Sequence, residues 1–102
     1  MSKLRDVPID AAKAIINKDR NQEYGEPAEN MKDIAQMMSV ILRPVLKDGA
    51  EIRPEQVAMC MIAVKLSRMT KSPKKLDSWT DIAGYVGVGY EAMEVNDGVE
   101  HS

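Results

Sequence analysis

Apolar residues recur along this chain at helical spacings, and prolines divide them into segments. Asp6-Val7-Pro8 reads as a helix start, with Pro8 in the first turn, where its missing N–H costs nothing. That helix runs to about Lys18 through Ile9, Ala12 and Ile16. Gly25 breaks the chain and Pro27 opens a second helix, with Glu26 at the cap and Glu29 in the first turn, where acids suit the positive end of the helix dipole. Met31, Ile34, Ala35, Met38, Ile41, Leu42 and Val45 follow at steps of three and four, an amphipathic stripe. Pro44 kinks or ends the segment, and Gly49 closes it. A third helix opens at Pro54 and continues to roughly Met69. From 57 to 66 nearly every residue is apolar, which predicts burial on most sides. Ser72-Pro73 is a loop. A fourth helix starts near Asp77-Ser78, both good capping residues, and passes Tyr90. Gly84, Gly87 and Gly89 each cost it about 1 kcal/mol. A strand over residues 85–90 is the competing reading, rejected because no second strand exists to pair with it. The pattern predicts an all-α, bundle-like single domain of four helices over residues 1–94, followed by a frayed acidic tail over 95–102.

Composition narrows the chemistry. The 102 residues suit one domain, and 44% apolar with 29% charged residues is ordinary for a soluble globular protein. The longest uncharged run in the apolar middle, 56–64, is far too short for a membrane span. The first residues lack the apolar stretch of a signal peptide, so cytoplasmic residence is expected. A lone cysteine, Cys60, excludes a disulfide framework and multi-cysteine zinc sites. The single histidine, His101, lies in the tail, which removes Ser-His-Asp, Cys-His and His-rich metal chemistry. Carboxylates, lysines, arginines and tyrosines are left to do any catalytic work. With no Phe, one Trp and 8 Met, methionine is the expected core filler. A thin core, together with the glycine-rich fourth helix, predicts a homo-oligomer. A net charge of -2 leaves no field to attract DNA.

Four groups of residues can carry chemistry. Glu26, Glu29, Asn30 and Asp33 share one sector of the second helix, and carboxylates so close repel unless a cation sits among them. Oxygen ligands of this kind suit Mg²⁺ or Mn²⁺, although capping and solvated surface acids explain the same pattern. Asp77 and Asp81, four apart, lie on one face of the fourth helix with Gly84 and Tyr85, and a cap plus a first-turn acid is the plainer explanation. Lys65 interrupts the apolar third helix and, if buried, needs a partner such as Asp81 or Glu29. Arg68 follows on nearly the same face, and between 56 and 76 there are five basic residues and no acid. A core ion pair with the remaining lysines solvated, and a lysine–arginine pair aimed at phosphate, both fit this pattern. Arg20, Tyr24 and Gly25 precede the second helix and suit either a ligand or a loop anchor.

Arg20, Tyr24-Gly25, Glu29-Asn30, Lys65, Arg68 and Asp77-Ser78-Trp79-Thr80-Asp81-Ile82-Ala83-Gly84-Tyr85 together resemble a family of small phage and prophage proteins of uncharacterised function, over about residues 18–90. That family in turn resembles, distantly, the MazG-like all-α nucleoside triphosphate pyrophosphohydrolases. The resemblance implies Mg²⁺ or Mn²⁺ held by Glu26, Glu29, Asp77 and Asp81, with Lys65 on the phosphate. It makes Glu26, Glu29, Lys65, Asp77 and Asp81 the candidate catalytic set. Arg20, Tyr24, Asn30, Arg68 and Tyr85 are the candidate substrate-binding residues, with Tyr24 or Tyr85 against the base. Asp77 and Asp81 are spaced by four where the family pattern has three, and Pro27 lies inside the ExxE pair. The expected activity is therefore Mg²⁺-dependent cleavage or binding of a nucleotide. The alternatives are a non-catalytic nucleotide-binding or sequestering protein and a purely structural helical oligomer.

Overall fold

The computed structural model describes residues 3–18 and 26–97. Their regular structure is entirely helical: α1 (Asp6–Ile16), α2 (Pro27–Ile41), α3 (Pro54–Lys71) and α4 (Leu76–Asp97), with a short 3-10 turn over Arg43–Val45. The all-α, four-helix expectation holds. Pro27 and Pro54 stand at the first positions of α2 and α3, as their missing N–H groups favour. At the start of α3 the Arg53 N–H donates to the Gln56 side chain at 2.8 Å, which satisfies one of the end's open donors. Pro44 ends α2 by confining the chain to the 3-10 turn. Gly49 takes φ 79°, a left-handed turn that side chains disfavour.

α4 is the hub of the described residues and packs against all three other helices, most extensively against α3. The short 72–75 link makes α3 and α4 an antiparallel hairpin. α2 lies across both, while α1 packs on α4. Ser39, fully buried, donates to the Ala35 carbonyl and accepts the Ile52 N–H, both at 2.8 Å. One hydroxyl thus pins the returning loop to α2. Arg43 closes the same loop on the outside, through the Ala50 carbonyl and Glu51.

Several expectations need correction here. Among the described residues the core is Ala28, Met31, Ala35, Val57, Ala58, Val88 and Ala92, so mostly small side chains fill it, with Met31 buried in it and Met38 packed against it. Helices carrying alanine and glycine at their contacts approach closely and leave little room for long side chains. Met61, Met69 and Met93 are half-buried, while Met37 and Met59 are exposed. α3 is not buried on most sides: Met59, Cys60, Ala63, Val64 and Leu66 all face outward. Its neighbours cover only the face of Val57, Ala58 and Ile62. The glycines of α4 act within the chain. Gly84 and Gly87 face Ile16 of α1, and Gly89 lies against Ala58 of α3. α4 begins at Leu76, which places Asp77 inside the first turn and not at the cap, and it continues to Asp97.

Near its end α4 pairs Tyr90 with Glu94. The hydrogen bond to this carboxylate, then burial, then charge repulsion hold the Tyr90 phenol above its ordinary 10.0. A raised folded-state value means that the contact stabilises fully below about pH 10 and is lost as pH rises through it. Ultraviolet titration should find one tyrosine ionising late, and Glu94→Gln should return it to the ordinary range. An unshifted phenol in the parent would refute the contact.

Candidate functional site

The α3–α4 turn carries a cleft of about 450 Å³, within the range of small-molecule sites. Lys65, Arg68, Lys71 and Ser72 line it from α3 and its cap, and Lys75, Asp77, Ser78 and Asp81 from the start of α4. Four bases face two acids. Helical periodicity explains the convergence: Lys65, Arg68 and Ser72 step by three and four along α3, as Asp77 and Asp81 do along α4. Antiparallel pairing then sets the end of one stripe against the start of the other. Trp79 holds the turn by donating its indole N–H to the Pro73 carbonyl at 2.7 Å.

Within the cleft Lys65 Nζ lies 2.9 Å from Asp81 Oδ2, the ion pair that an ammonium in an apolar helix demands. Their side chains are 14% and 36% exposed, so the lysine is the more deeply set partner. Pairing leaves Arg68, Lys71 and Lys75 against Asp77, an excess of positive charge. Electrostatics at the two helix ends fits this arrangement. Arg68 and Lys71 sit in the last turn of α3, where the dipole is negative. The first turn of α4 presents its positive end to the same space, with Asp77 in it.

The residues expected to act together are thus divided. Lys65, Arg68, Asp77 and Asp81 share the cleft, while Glu26, Glu29 and Asn30 are not among its lining. Glu26 and Glu29 are exposed at the start of α2. Tyr85 packs against the core cluster and also lies outside the lining. Arg20 and Tyr24 fall outside the described residues. Among the described residues no three His, Cys, Asp or Glu side chains come together as a metal-holding group. Glu26 and Glu29 are thus not gathered with Asp77 and Asp81 into such a group among the described residues. Of the acids of α4, Asp81 pairs with Lys65, and Asp77 lines the same cleft. Lys71, Ser72, Lys75 and Ser78 also line the cleft and were not among the expected site residues. The run of bases without an acid was their signal, but only the turn between the helices shows which of them face inward.

The family model described as "Domain of unknown function (DUF6378)" matches residues 8–93. The chain belongs to this family. It is 39% identical over 79 residues to the "Gene 55 protein" of Mycobacterium phage D29, covering 78% of this chain and 48% of that relative. The "Gene 55 protein" of Mycobacterium phage L5 is likewise 39% identical, over 80 residues, with the same coverage. The chain spans about half the length of the curated relatives it matches. No solved structure matches it. A phage family of uncharacterised function is what the motifs indicated; these matches lend nothing to the more distant MazG-like resemblance. No helix of the described residues is long and apolar enough to cross a membrane.

Proposed function

We propose that this DUF6378 domain binds a phosphate-bearing small molecule, a nucleotide, in the cleft between α3 and α4. The observation that carries this reading is the convergence of Lys65, Arg68, Lys71 and Lys75 on one cleft at the head of α4. A polyphosphate would meet charge-assisted donors on several sides, each stronger than a neutral hydrogen bond. Ser72 and Ser78 add hydroxyl donors at the same mouth. Arg68 offers a planar fork for two phosphate oxygens, and the lysines supply point charge.

Binding is the better supported of the two nucleotide readings. Hydrolysis by a resident Mg²⁺ or Mn²⁺ would need an acid set that the described chain does not gather. A divalent ion enters this reading as the counter-ion a nucleotide carries, and Asp77, exposed in the first turn of α4, is the carboxylate it would meet. The domain would then sequester or present nucleotides for a phage-encoded protein in the host cytoplasm.

Isothermal titration with nucleoside mono-, di- and triphosphates, with and without Mg²⁺, tests this. Affinity should rise with phosphate number and fall with added salt, as screened charges require. A pyrophosphate-release assay on the same samples should stay silent. Release of pyrophosphate would restore the hydrolase, and absence of heat with every nucleotide would leave Lys65 and Asp81 a structural pair in a helical oligomer.

A further inference from the structure

The α3–α4 hairpin has one open side. In both helices, three consecutive residues turn from the core, to the neighbouring helix, to solvent: Val57, Ala58, Met59 on α3, and Val88, Gly89, Tyr90 on α4. Successive residues rotate by about 100°, and because the helices are antiparallel the same sequence of steps brings both open stripes to one side. That side carries Met59, Ala63 and Leu66 from α3, and Trp79, Ala83, Val86 and Tyr90 from α4. Both stripes run at spacings of three and four. Met59, Leu66, Trp79, Val86 and Tyr90 are 49–61% exposed. Neither stripe contains a charged residue. An apolar side of this extent is as large as the largest patch of a typical monomer, and such patches often serve binding.

We infer that a second copy of this chain docks on that side, hairpin on hairpin, to form a four-helix bundle about a two-fold axis lying in the contact plane and crossing the helices. Charge chooses the direction. One end of the hairpin carries Arg68, Lys71, Lys74 and Lys75 with Asp77, and the other carries Glu55, Glu91 and Glu94 with Arg53, which pairs with Glu55, so the ends remain net basic and net acidic. Reversal of the second copy lays basic end over acidic end, whereas a copy pointing the same way would set bases on bases.

The stripes are self-complementary under this axis. Met59 and Leu66 are centred between residues 62 and 63. Trp79 with Tyr90, and Ala83 with Val86, are both centred between 84 and 85. The two centres are level, because Ala58 lies against Gly89 and Lys65 against Asp81. One axis therefore pairs Met59 with Leu66 and Trp79 with Tyr90 across the contact, with Ala63 and Ala83 letting the helices approach. The five large side chains present on the order of 500 Å². Full burial of these side chains on both copies would remove about 1,000 Å², the lower limit for a specific interface. The phosphate-binding cleft is not part of this side, so the two readings stand or fall separately.

Sedimentation equilibrium of the 102-residue chain should give twice its 11.3 kDa mass at high micromolar concentration. Leu66→Lys and Val86→Lys, both at exposed positions, should each yield a monomer whose far-ultraviolet circular dichroism matches the parent. In a Cys60→Ser background, Ala63→Cys should be captured as a dimer by a short bismaleimide, because 63 meets 63 only in the reversed arrangement. A monomeric parent overturns the proposal, as does a dimer that survives both lysine variants. A dimer that never links through residue 63 overturns its geometry.

Discussion

Gly89→Ala should destabilise this domain by about 1–3 kcal/mol, the usual cost of overpacking, even though alanine is the better helix former by about 1 kcal/mol. A methyl at Gly89 would come 2.6 Å from the Ala58 methyl, closer than real carbon atoms approach. Neither carbon can swing aside, since both sit directly on helix backbones, so α3 and α4 must part. That separation loosens Val57 and Ala92, which are 1% and 0% exposed, and drags the cleft walls with it. Gly87 provides the control. A methyl there would meet only Ile16 Cδ1 at 3.6 Å, an ordinary contact, so Gly87→Ala should instead stabilise by about 0.5–1 kcal/mol. Urea denaturation of the two variants gives the comparison. Adding Ala58→Gly to Gly89→Ala should recover much of the loss, and a double-mutant cycle would report the coupling. If Gly89→Ala proves as stable as Gly87→Ala, the close α3–α4 approach is wrong.

Asp81→Asn should lower stability while leaving phosphate affinity intact or raising it. The substitution removes the carboxylate that holds Lys65 and frees the ammonium to face a ligand. The stability loss should be about 1 kcal/mol, since Asp81 is 36% exposed and solvent screens the pair. Lys65→Met keeps the packed stem and loses only the charge, so it should cost about the same in stability. Lys65→Ala removes buried methylenes as well, each worth about 0.8 kcal/mol, and should be the least stable of the three. Both lysine variants should weaken nucleotide binding by about tenfold or more, the scale of one charge-assisted hydrogen bond. Titration calorimetry and thermal melts on the same samples separate these effects. A resident metal site would reverse the expectation for Asp81, because Asn would strip a ligand and abolish binding. Loss of affinity in Asp81→Asn therefore counts against the cleft as described and in favour of the metal reading.

What the sequence determined by itself was local. Helix starts at Pro27 and Pro54 depend on a ring that has no N–H to lose, and the stop at Pro44 depends on the same ring. The need of Lys65 for a counter-charge was also legible, because an ammonium in an apolar helix is costly wherever that helix lies. Asp81 answered it across the hairpin. Tertiary packing decided the rest. Composition shows eight methionines but not which stripe faces a neighbour; alanine and glycine contacts drew the helices close, so that of the described methionines Met31 enters the core and Met38 packs against it, while Met37 and Met59 stay exposed. Likewise an apolar run on α3 does not state how many neighbours it has, and α2 with α4 covers only part of it. The four acids of α2 and α4 each had a sound local explanation. Whether they met depended on helix positions that no periodicity encodes, and the α3–α4 hairpin set Asp81 against Lys65, with Asp77 in the same cleft. Spacing along a chain fixes which side chains share a face, while which faces meet is set by how closely small residues let helices pack.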